Sequence, residues 1–252
     1  MPTKIRVMPT LLYKDVGLVK GIGFDSWRRT GSAMQAIKVY NMREVDELIF
    51  VDITATNDNR EPDFATIDEL ADECFMPMTV GGGIRTVDHV RKMLSVGADK
   101  VAINSAAIEN PALITDVANR FGAQCVVVSI DYKNTGGAAE VYTHSGTRKT
   151  GKSPIELARQ VESLGAGEIL LTSIDRDGTM NGYDVEITRK VSDNVKIPVI
   201  ASGGAGSYSH MVDVLRDGKA SAIAAASIFH FTEQTPLEAK RYLHDQGFNV
   251  RL

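Results

Sequence analysis

Eight short apolar runs alternate strictly with eight amphipathic stretches along this chain, and no other feature constrains its fold as tightly. The runs are Ile5–Leu12, Glu47–Ile53, Met76–Val80, Lys100–Ile103, Cys125–Asp131, Glu168–Ile174, Ile197–Ser202 and Ala222–Ala226. The stretches between and after them, at about 32–44, 62–74, 86–97, 110–121, 153–165, 184–194, 207–217 and 235–246, carry helical periodicity. Strand–helix alternation implies a parallel sheet, and runs apolar on nearly every residue imply strands buried on both faces. Eight repeats in 252 residues fit one α/β domain spanning 1–252, a (β/α)8 TIM barrel. Gly97, Gly122, Gly165 and Gly218 follow periodic segments, where a left-handed C-terminal residue is wanted. Asn110 and Ser153 precede Pro111 and Pro154 as expected N-caps with proline in the first turn.

Two connections are long, Tyr13–Gly31 after the first run and Tyr132–Lys152 after the fifth. In a barrel such loops lie on the C-terminal face, where chemistry is done. The two halves also repeat. Glu47–Thr54 aligns with Glu168–Asp175, and Thr79–Gly83 with Ile200–Gly204, both at an offset of 121 residues. Ala102–Ser105 aligns with Ala224–Ser227 at 122, and Leu11–Lys14 with Ile130–Lys133 at 119. A half-barrel duplication explains these shared Gly and Ser positions at strand ends.

Barrels commonly hold a phosphate with the loops after strands 7 and 8. Here those loops are Ser202–Gly206 and Ala225–Ser227, and duplication sets Gly81–Gly83 and Asn104–Ser105 as their twins. Glycines admit oxyanions to backbone N–H groups. Two such sites facing one mouth point to an elongated substrate with a phosphate at each end. Gly146–Ser153 also satisfies the pattern G-x-x-x-x-G-K-[ST] of nucleotide-binding loops. It lies inside the long loop after the fifth run and explains only its own residues. The plainer reading is a basic loop near an anionic substrate.

A net charge of −4 and a pI near 5.8 argue against non-specific binding to nucleic acid or anionic membranes. The apolar runs fall far short of the ~20 residues of a membrane span, and Met1–Pro9 carries no secretory h-region. Cys74 and Cys125 lack a CxxC and read as buried, reduced core residues of a cytoplasmic protein. Histidines 89, 144, 210, 230 and 244 show no metal spacing, and neither a metal nor another cofactor is expected. His144, in the loop after the fifth run, either meets a substrate or is an exposed loop histidine. Trp27 either stacks on a ligand or anchors its loop.

Asp46–Thr54, Thr79–Ile84, Gly97–Ser105, Gly165–Gly178, Ile200–Gly206 and Ala226–His230 together resemble, from end to end, the HisF family, the cyclase subunit of imidazole glycerol phosphate synthase. The resemblance implies a barrel that takes ammonia from a HisH-like glutaminase partner and passes it to a bisphosphate ribulosyl substrate. It implies general acid–base chemistry by aspartates ending strands 1 and 5. The latter carries over onto Asp131, whereas the former position holds Leu12. Asp15 matches a later, non-catalytic aspartate of the family.

The stretch Pro9–Lys20, with Glu61–Phe64 and Glu73–Pro77, is similar to the AglZ-type paralogues, associated with acetamidino modification of surface sugars. These imply an N-acetyl-sugar amidotransferase as a further partner. The authentic cyclase of histidine biosynthesis and a non-catalytic conduit or scaffold stay open as alternatives. By the same resemblance Lys20, Asn104, Thr172 and Asp177 contact substrate, and Gly83, Ser105, Gly204, Ala226 and Ser227 bind phosphate. Arg6, Glu47, Lys100 and Glu168 form an ammonia gate, and Asp99 meets the glutaminase.

Overall fold

The computed structural model describes residues 4–15 and 17–252. Residues 1–3, at the start of the stretch read for a secretory signal, and Val16, within the stretch that distinguishes the paralogues, lie outside the described residues. In chain order the elements are β1 (Arg6–Lys14), β2 (Gly17–Ile22), β3 (Asp25–Gly31), α1 (Ala33–Met42), β4 (Leu48–Asp52), α2 (Phe64–Ala71), β5 (Met78–Gly81), α3 (Val87–Ser95), β6 (Lys100–Ile103), α4 (Ser105–Glu109) and α5 (Ala112–Phe121). There follow β7 (Val126–Thr135), β8 (Ala138–Thr143), β9 (Arg148–Lys149), α6 (Pro154–Ser163), β10 (Glu168–Ser173), α7 (Val185–Ser192), β11 (Val199–Ser202), α8 (Tyr208–Arg216), β12 (Ala222–Ala225), α9 (Ser227–Phe231) and α10 (Pro236–Asp245).

Eight strands close on themselves in the order β1-β4-β5-β6-β7-β10-β11-β12, every neighbouring pair parallel, with β12 returning to β1. This is the (β/α)8 barrel that the alternation predicts. Alternate side chains of each strand point to opposite faces. Met8, Ile49, Ala102, Val127, Leu170, Ile200, Ala222 and Ala224 form one buried cluster in the barrel interior. Their sequence neighbours, such as Val7, Leu48, Val128 and Leu171, pack outward against the helices.

Polar side chains fix where the helices start. Ser153 with Glu156 and Thr235 with Glu238 form capping boxes ahead of Pro154 and Pro236, while Asp63, Thr86, Asp184 and Ser207 cap α2, α3, α7 and α8. Two expected end signals differ. Asn110 ends α4 instead of capping α5, so Pro111 itself takes the N-cap place. Gly218 is not left-handed; Lys219 adopts φ 54°. A Cβ on Gly218 would meet Val214 O at 2.5 Å, so close packing requires that glycine.

Both long connections fold back as antiparallel sheet. β2 pairs with β1 (Leu12 opposite Val19) and with β3, and β8 pairs with the extended end of β7 (Asp131 opposite Tyr142). The nucleotide-loop pattern does not form a phosphate loop: Arg148–Lys149 pair with β8, and the Ser153 hydroxyl accepts the Ile155 N–H at 3.2 Å as the cap of α6. Cys125 is buried and Cys74 only partly so, because Cys74 sits in the loop after α2; both are free thiols. Among the described residues, no helix is long and apolar enough to cross a membrane.

Candidate active site

At the C-terminal end of the barrel a cavity of about 240 Å³ opens between the βα loops. β7 ends its inward-facing series with Ser129 and Asp131. Asp131 Oδ2 accepts from Asn104 Nδ2 at 3.1 Å, and Oδ1 accepts from Ser129 Oγ at 3.2 Å. Asn104 also donates to Ser129 O at 3.0 Å, which holds its amide between the two strands. Burial pushes the Asp131 carboxyl up to about 7; hydrogen bonds from Ser129 and Thr172 hold it down, and the negative charge of Asp177 raises it further. A carboxyl in that range exchanges a proton near neutral pH, as general acid–base work requires.

Thr172 stands beside Asp131 in the β7–β10 register and lines the cavity. Lys20 on β2 and Asp177 beyond β10 also line it, but they face each other: Lys20 Nζ lies 2.6 Å from Asp177 Oδ2, with Lys20 fully buried. The structure therefore brings Lys20, Asn104, Asp131, Thr172 and Asp177 to one cavity. Leu12 lines it as well, on β1. In an eight-stranded ring β1 and β7 are diametrically placed, so across from Asp131 the strand β1 presents aliphatic Leu12 and not a second acid.

The two glycine loops obey the internal repeat. A Cβ on Gly82 (φ 111°) would meet Asp52 O at 2.3 Å, and one on Gly203 (φ 89°) would meet Ser173 O at 2.6 Å. Equivalent positions 121 residues apart thus make equivalent close approaches. Gly83 and Gly204 follow, both with positive φ. Among the described residues, neither donates its amide to a backbone hydrogen bond of a loop or turn. Ser105 and Ser227 begin the five-residue helices α4 and α9, which the sequence reading missed, and Asn104 and Ala226 take the N-cap places. Gly83, Ser105, Gly204, Ala226 and Ser227 all line the cavity. Among the described residues, Ser227 Oγ is buried without a hydrogen-bond partner, whereas Ser105 Oγ accepts the His144 N–H at 3.1 Å. His144 is thus half-buried, and the exposed-loop reading of it does not hold. It sits against α4 and lines the cavity, as does Trp27.

Sequence reasoning also passed over Ser129 and Asp52. Inward alternation back from Asp131 reaches Ser129. Asp52 organises the loop after β4, accepting from Thr54 N, Thr54 Oγ1 and Ala55 N at 2.9–3.1 Å and from Arg60 at 3.3 Å.

The opposite end of the barrel is closed by four alternating charges. Arg6 Nη1 lies 2.7 Å from Glu47 Oε2 and 3.1 Å from the Glu168 carboxylate. Lys100 Nζ lies 2.9 Å from Glu47 Oε2 and 3.2 Å from Glu168 Oε1. Thr79 Oγ1 donates to Glu47 Oε1 at 2.7 Å. Burial works against the charge on Arg6, and Glu168 and Glu47 more than offset it, leaving its pKa raised. Asp99, exposed at the same end, accepts the Met78 N–H at 2.8 Å and so ties β5 to the start of β6.

One mouth of the parallel barrel thus combines duplicated glycine loops, short helices after the fourth and eighth barrel strands, and one acid raised toward neutrality. The family model described as histidine biosynthesis protein matches residues 6–235, and the chain belongs to that family.

Proposed function

We propose that this chain is a HisF-type synthase subunit that receives ammonia from a HisH-like glutaminase and delivers it to a phosphorylated acceptor in the cavity. The observation that carries this is the layering along the barrel axis. A closed ring of two cations and two anions comes first, then the apolar layer around Met8, Ile49, Val127 and Leu170, then the Asp131 cavity. Arg6 and Leu12 are six residues apart on β1, roughly 20 Å at ~3.3 Å per residue. An apolar layer between the two ends suits the transfer of neutral ammonia and opposes ammonium, because burying an unpaired charge is costly. The ring would then have to open for ammonia to enter.

Leu12 steers the reading toward the paralogues that serve acetamidino modification of surface sugars, with an N-acetyl-sugar amidotransferase as the downstream partner. Asp131 moves a proton as ammonia adds, and nothing on β1 handles a second. The authentic cyclase of histidine biosynthesis is the second reading, favoured by the two equivalent glycine loops. The test is reconstitution with a HisH-like glutaminase. Complex formation on size exclusion and faster glutamine hydrolysis on mixing are expected. A chain that neither binds nor activates such a glutaminase would sink the proposal.

A further inference from the structure

The internal repeat runs on past the glycine loops into the helices that follow them. Thr86 Oγ1, at the N-cap of α3, accepts the His89 N–H at 3.1 Å, and His89 Nδ1 accepts the Arg85 N–H at 3.4 Å. Ser207 Oγ, at the N-cap of α8, accepts the His210 N–H at 3.4 Å, and His210 Nδ1 accepts the Gly206 N–H at 3.3 Å. Arg85 and Gly206, Thr86 and Ser207, and His89 and His210 are each 121 residues apart. In both helices the third residue after the cap reaches back to the amide that ends the glycine loop, in the manner of a capping box.

In α6 and α10 the same place is taken by a carboxylate. Glu156 Oε2 accepts the Ser153 N–H at 3.4 Å, and Glu238 Oε2 accepts the Thr235 N–H at 3.2 Å. Glutamate is the usual residue there, and its charge also favours a helix N-terminus. The two helices that follow glycine loops give up that gain. A ring nitrogen that accepts an N–H carries no proton, so each imidazole offers an acceptor without a charge. The acids nearest these caps are engaged elsewhere or turned outward. Asp88, in the first turn of α3, pairs with Arg91 and Lys92, and Glu61 faces His89 Nε2 at 3.7 Å with its side chain largely exposed. The first turn of α8 has no acid. Gly83 and Gly204 lie two residues before the amides so held, and both line the cavity. Ser227, which lines it with the second loop, is 5% exposed, and among the described residues its Oγ has no partner.

We infer that His89 and His210 set the selectivity of the two glycine loops, capping α3 and α8 without the negative charge that would repel an anion held there. This rests on the phosphate-binding part of the proposed function and adds the residues that tune it. A carboxylate in either place would sit at the end of the loop itself, where like charges repel across several ångströms.

Glutamine and glutamate both complete a capping box and differ only in charge, so the two variants separate charge from fold. Sulfate would be titrated into isotope-labelled protein, with the amide NMR shifts of Gly83 and Gly204 reporting each loop and thermal melts read alongside. His89→Glu is expected to weaken sulfate at the Gly83 loop by at least about threefold and to leave the Gly204 loop within about twofold, and His210→Glu should do the reverse. His89→Gln and His210→Gln should stay within about twofold of wild type at both loops, and neither Glu variant should melt below its Gln counterpart. Equal sulfate affinity in the Glu and Gln variants, whether at the wild-type level or below it, overturns this inference alone. A Glu variant that does not fold, or melts below its Gln counterpart, shows that the position refuses a capping carboxylate for reasons other than the anion, and overturns it too. No sulfate-induced shift at either loop of the wild type removes the phosphate-binding reading and this inference with it.

Discussion

Lys20 Nζ lies 2.6 Å from Asp177 Oδ2, and this contact ties the β2–β3 hairpin to the loop after β10. Lys20 is 2% exposed and Asp177 8%, so neither charge has much water to fall back on. Removing one partner of a buried pair strands the other, at about 3–5 kcal/mol. Lys20→Met is therefore expected to lower the unfolding free energy by about 3 kcal/mol, toward the lower end because Asp177 borders the cavity. Lys20→Met with Asp177→Asn should recover much of that loss. Urea denaturation of the four species of the cycle measures it, and additive single effects would show that the pair is not coupled.

Asp131 gives a pH dependence of definite sign. Its carboxyl titrates near 7 in the folded chain, well above the ordinary value of 3.8. The folded state therefore holds a proton that the unfolded chain has released, and stability from this group falls as pH rises from about 4 through 7. Asp131→Asn should flatten that part of the stability profile. In the proposed reaction the carboxylate accepts the proton lost as ammonia adds, so turnover at a fixed concentration of NH3 should rise through pH 7 and level off. Asp131→Asn should cost roughly 10²–10⁴-fold in rate. A profile without an inflection near 7 would remove Asp131 from the proton transfer.

The charged ring predicts uncoupling. Glu168 holds both cations of the ring, and Lys100 bridges both anions. Glu168→Ala or Lys100→Ala should leave the barrel folded, because the apolar cluster above it is untouched. With glutamine and the glutaminase, product per glutamine hydrolysed should drop several-fold. With free ammonia the rate should stay within about twofold of wild type. Equal loss with both nitrogen sources would make the ring a structural feature and not a gate.

The barrel is legible in the sequence because its strands are buried on both faces, and runs such as Cys125–Ile130 have no other place to go. The hairpins are less visible. β2 and β3 carry Gly17, Gly21 and Gly31 and a mixed polarity pattern, since one side of β2 must accommodate the buried Lys20. Helices α4 and α9 are too short, at five residues, to show a period of 3.6. Asn110 misleads for the same reason: the short helix before it claims it as an end. Within the site, Asp131 is recognisable from its strand end, but its shift depends on burial and on Asp177, contributed from across the β7–β10 pair. That proximity has no local signature. The Lys20–Asp177 contact joins residues 157 apart, and each is an ordinary loop charge until the hairpin folds inward.

Leu12 offers the sharpest test of which branch of the family this chain follows. Given the ribulosyl bisphosphate substrate and free ammonia, the wild type is expected to make little imidazole glycerol phosphate, because Leu12 cannot transfer a proton and β1 presents no other acid to the cavity. Leu12→Asp should raise that activity measurably. The gain is expected to be well short of an authentic cyclase for two reasons. The new carboxylate would replace an aliphatic side chain of the cavity lining, whose surroundings are not preorganised to orient it. It would also add a second negative charge to the cavity of Asp131, already raised by Asp177, and like charges push each other's protonation upward. The Asp131 inflection should therefore move above 7 in Leu12→Asp, which a pH profile reads independently of the rate. Wild-type turnover at the level of an authentic cyclase would overturn the paralogue reading and show that Asp131 with water suffices. An unmoved inflection would place residue 12 too far from Asp131 to share its proton.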